Sequence, residues 1–108
     1  MEMVAMVKRD QGERKMGRTQ AHQLASERVR SLRSVPFQAL QQYIRPAHER
    51  VNVSGSEYVV ETQAFWDDQR KEALRVLVSV WQGDRLHGKA VSQDFILDRS
   101  GRFVGEDL

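Results

Sequence analysis

The sequence predicts an α+β fold, an N-terminal helical segment (kinked or divided into two helices) packed on an antiparallel meander of four to five strands. Three observations carry this expectation. Apolar residues recur at helical spacing as far as Ile44, the spacing turns to alternation after Pro46, and the alternating runs are joined by links too short for a parallel crossover.

The elements follow in order along the chain. Lys8 to Gly17 (KRDQGERKMG) is polar, holds two glycines and lacks apolar periodicity, so it buries too little surface to offset its ordering entropy. Residues 1–17 are therefore expected to form a flexible basic tail, and residues 18–108 a single domain. From Thr19, a candidate N-cap, Ala21, Ala25, Val29 and Leu32 recur at spacings of 4, 4 and 3 with Leu24 beside them, which is one helix face. Pro36 lacks an amide donor and restricts Val35, so this helix is expected to end near Ser34. Ser34 is then placed to cap a second short helix carrying Phe37, Leu40 and Ile44, which Pro46 stops.

Beyond Pro46 the pattern is that of strands. Val51 and Val53 lead into the turn signal Ser54-Gly55-Ser56 and the β-rich run Glu57 to Trp66, which predicts a hairpin. After the polar link Asp67 to Lys71, the run Ala73 to Trp81 has the β-branched density of a central strand. A loop is expected over Gly83 to Gly88 and a strand over Lys89 to Leu97. Asp98-Arg99-Ser100-Gly101 then puts glycine where a hairpin needs a left-handed residue, ahead of a short strand Arg102 to Val104.

Alternation sorts the central strands into two faces. Leu74, Val76, Val78 and Val80, with Tyr58, Val60, Ala64 and Trp66, form the expected core face. The opposite face carries Val59, Phe65, Leu77 and Trp81 among Glu61, Gln63, Arg75 and Ser79, and is more apolar than a solvated surface requires. Either another element of the chain covers it or it is an interface, for which symmetric self-association is the commonest solution.

Residues 50–106 resemble short bacterial proteins of unassigned function. The likeness rests on the strand end Phe65-Trp66-Asp67-Asp68, the Leu74 to Val78 strand and a closing hairpin over Phe95 to Glu106. What the resemblance implies is a bacterial α+β fold with no catalytic activity attached.

Composition bounds the function. The 108 residues leave room for one domain, and 40% apolar with 30% charged residues is a globular composition. With no cysteine, disulfide scaffolds, thiolate metal sites and cysteine nucleophiles are excluded. The longest apolar run, Met3 to Val7, is far shorter than the ~18 residues of a membrane span. It also lacks the layout of a secretory signal, so a cytoplasmic protein with no membrane partner is expected. Charge is divided unevenly. Residues 1–50 hold ten Lys/Arg against five acids, net +5, and residues 51–108 hold seven against ten, net −3.

The basic excess offers a second surface. Arg14, Arg18, His22, Arg30 and Arg33 lie close to an i, i+4 stripe beside the apolar helix face, a spacing that suits either a phosphate backbone or a solvated helix face. No aromatic residue interleaves them, so single-strand stacking has no support. Asp67, Asp68, Glu72, Asp94 and Asp98, and the scattered His22, His48 and His87, show no ligand spacing. No phosphate loop or serine-nucleophile motif occurs, and the Asn52-Val53-Ser54 sequon has no meaning without secretion. No cofactor is expected. The expected function is a small protein-interaction or self-associating module, with nucleic-acid binding second and an enzyme with a helix–sheet cleft third.

Overall fold

A computed structural model of the chain describes residues 18–83 and 89–106. The expected tail over 1–17, with Arg14, and most of the expected loop, with His87, lie outside the described residues. The described elements are a helix α1 over residues 18–32, a one-turn helix α2 over Phe37–Leu40, a 3₁₀ turn over Gln41–Ile44, and four strands. The strands are β1 (Ala47–Val53), β2 (Ser56–Trp66), β3 (Ala73–Gln82) and β4 (Val91–Asp98), antiparallel in the order β1-β2-β3-β4. This is the α+β meander that the change of periodicity predicts.

α1 lays Ala21, Ala25 and Leu32 into the core, with Leu24 and Val29 packed beside them. Small residues at 21 and 25 let the helix approach the sheet closely. Ser26 and Arg28 are two positions apart, about 200° around the helix, so they point to opposite flanks. Ser26 Oγ accepts from Gln93 Nε2 on β4 at 2.7 Å, and Arg28 forms an ion pair with Glu49 on β1. The helix is thereby moored to both outer strands. Residues 18–20 are already helical, so Thr19 lies inside α1 and does not cap it.

The second helical segment differs in detail from its expectation. Pro36, extended at φ −61° and ψ 152°, occupies the N-cap position without a side-chain cap, and the Ser34 hydroxyl instead donates back to Ser31 O at 2.8 Å. Ser34 therefore closes the end of α1 and leaves α2 uncapped. After Leu40 the chain tightens into the 3₁₀ turn, so Phe37 and Leu40 are buried while Ile44 is exposed.

The turns use the chemistry their geometry demands. Ser54 and Gly55 both take positive φ, 52° and 84°, the type I′ pair that matches the twist of the β1–β2 hairpin. Asn52 Oδ1 accepts the Gly55 N–H at 3.2 Å. In the β2–β3 turn Asp68 Oδ1 accepts the amides of Glu72 (2.9 Å) and Ala73 (3.1 Å). Asp98 Oδ1 accepts from the Ser100 amide and hydroxyl and from the Arg102 amide, and these bonds hold its carboxyl below the ordinary range. The expected strand Arg102 to Val104 is reduced to a single bridge between Leu97 and Phe103, because the chain turns away after Val104.

The core is the face of the sheet beneath α1 and α2. Leu74, Val76, Val78 and Val80 are fully buried, Tyr58, Val60 and Ala64 nearly so, and Trp66 packs on Phe37 with ring centroids 6.0 Å apart. Leu40, Val91, Phe95 and Leu97 complete it. Arg99 stacks over Phe37 and Trp66 and donates from Nε to Lys71 O at 2.9 Å, closing this end of the core.

Candidate functional site: the open face of the sheet

The strand register fixes what the second sheet face presents. Val59 pairs with Trp81, Glu61 with Ser79, Gln63 with Leu77 and Phe65 with Arg75, so all eight side chains share the face turned away from the helices. β1 adds Arg50 beside Val59 and His48 beside Glu61. β4 adds Ser92, Asp94 and Ile96 opposite Ser79, Leu77 and Arg75. No described helix packs on this face.

Val59, Leu77 and Trp81 are half-buried by their neighbours, and Phe65 is 41% exposed. These four do not form one unbroken stripe. A polar row, His48, Glu61, Ser79 and Ser92, crosses all four strands between the Val59/Trp81 pair and Leu77. Within it His48 Nε2 lies 2.6 Å from Glu61 Oε2, and the Ser79 and Ser92 hydroxyls are 3.0 Å apart. Ile96, beside Arg75 and diagonal to Leu77, joins the second apolar group. Sequence reading missed it because alternation within β4 alone does not say which face each parity takes.

Most of the charge on this face is matched locally. Arg75 donates to Asp67 from Nε at 3.1 Å and also pairs with Asp94, and the bonds to Asp94 and then Asp67 hold its guanidinium more firmly protonated than an ordinary arginine. Arg50 pairs with Glu57 at 2.9 Å. Ion pairs closed within the surface leave no strong single-sign field across the apolar groups between them.

The basic surface is divided among different tasks. Arg18, His22 and Arg30 are exposed on α1. Arg33 instead donates two hydrogen bonds to Glu106, Nη1 to Oε2 at 2.8 Å and Nη2 to Oε1 at 2.6 Å, and its guanidinium lies 3.9 Å from the Phe103 ring centroid. It faces the C-terminal segment and not a neighbouring arginine. No signal within α1 marks that role, since the partners lie more than 60 positions away.

The acidic candidates are taken up in structure. Asp68 and Asp98 order turns, Asp67 and Asp94 hold Arg75, and the amide of Glu72 serves the β2–β3 turn. Among the described residues no group of three or more His, Asp or Glu is placed to hold a metal ion. None of the described helices is long and apolar enough to cross a membrane. Comparison with protein-family models, curated proteins and solved structures gives no match to this chain.

Proposed function

We propose that this domain is a self-associating module whose open sheet face packs against the same face of a second copy. The observation that carries the reading is the placement of Val59, Trp81, Leu77, Phe65 and Ile96 on one side of a sheet whose other side is already roofed by α1 and α2. A sheet face bearing two apolar groups lowers its free energy by covering them.

A second copy suits this face in size. Eight residues at ~3.4 Å by four strands at ~4.8 Å gives a footprint of about 500 Å² per copy, and two footprints give about 1,000 Å². That area meets the lower bound of a specific interface and points to a dimer of modest affinity. Matched ion pairs also favour a self-partner, because a face with a strong field of one sign would repel its copy. We further read the protein as bacterial and cytoplasmic, on the resemblance of residues 50–106 to short bacterial proteins.

Sedimentation velocity from ~10 μM to ~1 mM tests the reading. Growth from 12.5 kDa toward twice that mass is expected, with Leu77→Glu and Trp81→Glu each holding the chain at one copy. A strict monomer at ~1 mM, or association that ignores both substitutions, overturns it.

A further inference from the structure

The segment after β4 folds back along the outer edge of that strand. Asp98 N–H donates to Arg102 O and Val104 N–H to Ile96 O, each at 2.9 Å, and Leu97 bridges Phe103. The two bonds alone would leave a frayed edge. What holds the segment down is Arg33 from the end of α1, which stacks on Phe103 and grips Glu106 through both nitrogens of its fork. Phe103 in turn meets Phe95 edge to face, with centroids 5.8 Å apart. The Arg33 and Glu106 side chains are 33% and 42% exposed, so water and salt reach the grip directly.

We propose that residues 102–106 are a displaceable latch, and that the Arg33–β4 groove beneath it binds an extended peptide of the pattern Phe-x-x-carboxylate supplied by another chain. The latch itself defines the ligand. Its Phe103 fills the place over Phe95 and under Arg33, its Glu106 supplies the carboxylate three positions on, and its backbone adds to the β4 edge. A competing segment with the same spacing would make the same contacts in trans, the mode by which a strand is added to a sheet edge. Gly101 precedes the latch and Gly105 lies within it, just before Glu106, at φ 88° and 83°, with open space where a Cβ would stand, so the backbone there can swing without side-chain clashes. Charge favours the exchange as well: Arg33 retains its donors when Glu106 leaves, and only an acid restores both bonds.

The test separates cis from trans occupancy. A labelled synthetic peptide carrying residues 101–106 is titrated into the full chain, into Glu106→Gln and into Arg33→Gln, with fluorescence anisotropy as the readout. Glu106→Gln weakens the internal latch but leaves Arg33 free, so it is expected to bind the peptide about two- to five-fold more tightly than the unsubstituted chain. A peptide with Gln in place of its glutamate should lose that gain, and Arg33→Gln should bind neither peptide. Hydrogen exchange at the Val104 and Asp98 amides should quicken by a similar factor in Glu106→Gln while the β2–β3 amides stay unchanged. Equal peptide binding by Glu106→Gln and Arg33→Gln, or no binding at millimolar peptide, overturns the proposal, as does unchanged exchange at Val104. Leu77→Glu, on the opposite face, should leave every one of these readouts unaltered, so a failure of the open-face dimer is told apart from a failure of the latch.

Discussion

Leu74 and Leu77 stand three positions apart on β3 and point to opposite faces, so truncating each to alanine removes the same atoms from two environments. Leu74 has no exposed surface and sits under α1 and α2, where losing the side chain forfeits its transfer free energy and leaves a cavity. Leu74→Ala should therefore cost about 2–5 kcal/mol. Leu77 is half-buried between Gln63 and Asp94, and water can fill the space it leaves, so Leu77→Ala should cost less than about 1 kcal/mol in dilute solution. With a mid-range difference of about 3 kcal/mol, and about 4–8 °C per kcal/mol for a domain of this size, the melting temperatures of the two variants should differ by roughly 10–25 °C. Thermal and urea unfolding followed by far-UV circular dichroism at ~5 μM measures both. Repeating the melts at ~500 μM adds a second readout, because self-association through the open face stabilises the unsubstituted chain by mass action and Leu77→Ala removes that gain. Equal losses at the two positions, or a larger loss at Leu77, would refute the assignment of faces on which the site rests.

Three further outcomes follow from local geometry. Gly55→Ala should destabilise by about 1 kcal/mol because alanine resists the φ of 84° there, measurable as a lower urea midpoint with an unchanged slope. Asp98 has its folded-state carboxyl pKa lowered first by the Ser100 hydroxyl and then by the Arg102 amide, so its contribution is present above the ordinary 3.8 and lost as pH falls through the lower folded value. Acid titration of stability should accordingly be shallower in Asp98→Asn. Tyr58 shows the reverse sign: burial raises its pKa above the ordinary 10.0, so the stability tied to its protonated phenol is complete below that pH and falls away as pH rises beyond it. Tyr58→Phe should flatten the alkaline limb of the unfolding profile.

The parts of this fold legible in the sequence are those set by local period. Alternation along β2 and β3 was strong enough to divide Val60 from Val59 and Val78 from Leu77, and Pro36 and Pro46 marked where helical geometry must stop. The Ser54-Gly55 turn was equally visible, since two left-handed residues in succession have few sequence solutions. What escaped depends on partners distant in the chain. Ser34 has the composition of a cap, yet Pro36 takes that position and Ser34 turns back to Ser31, a choice that local propensity does not decide. The polar row from His48 to Ser92 interrupts the apolar face only once four strands are in register. Arg33 reads as one member of a basic stripe until Phe103 and Glu106 arrive beside it.

The uneven charge of the two halves gains a different meaning from the same contacts. A net +5 over residues 1–50 and −3 over residues 51–108 suggests a cationic surface seeking an anionic partner. In the folded chain part of that difference closes on itself: Arg33 meets Glu106 and Arg50 meets Glu57, each linking an arginine of the basic half to an acid of the acidic half. Exposed pairs of this kind add little to stability one at a time, but they fix which surfaces face each other and lower the self-repulsion of the compact state. One of the two lies on the open face and one on the latch, the two surfaces proposed above to bind other chains. A variant of Arg50→Glu with Glu57→Arg keeps the pair and reverses its order, and it should preserve monomer stability while altering the orientation in which two open faces dock, read as a changed sedimentation constant at equal mass. Unchanged sedimentation together with unchanged stability would confine these pairs to surface solvation and remove them from the account of docking.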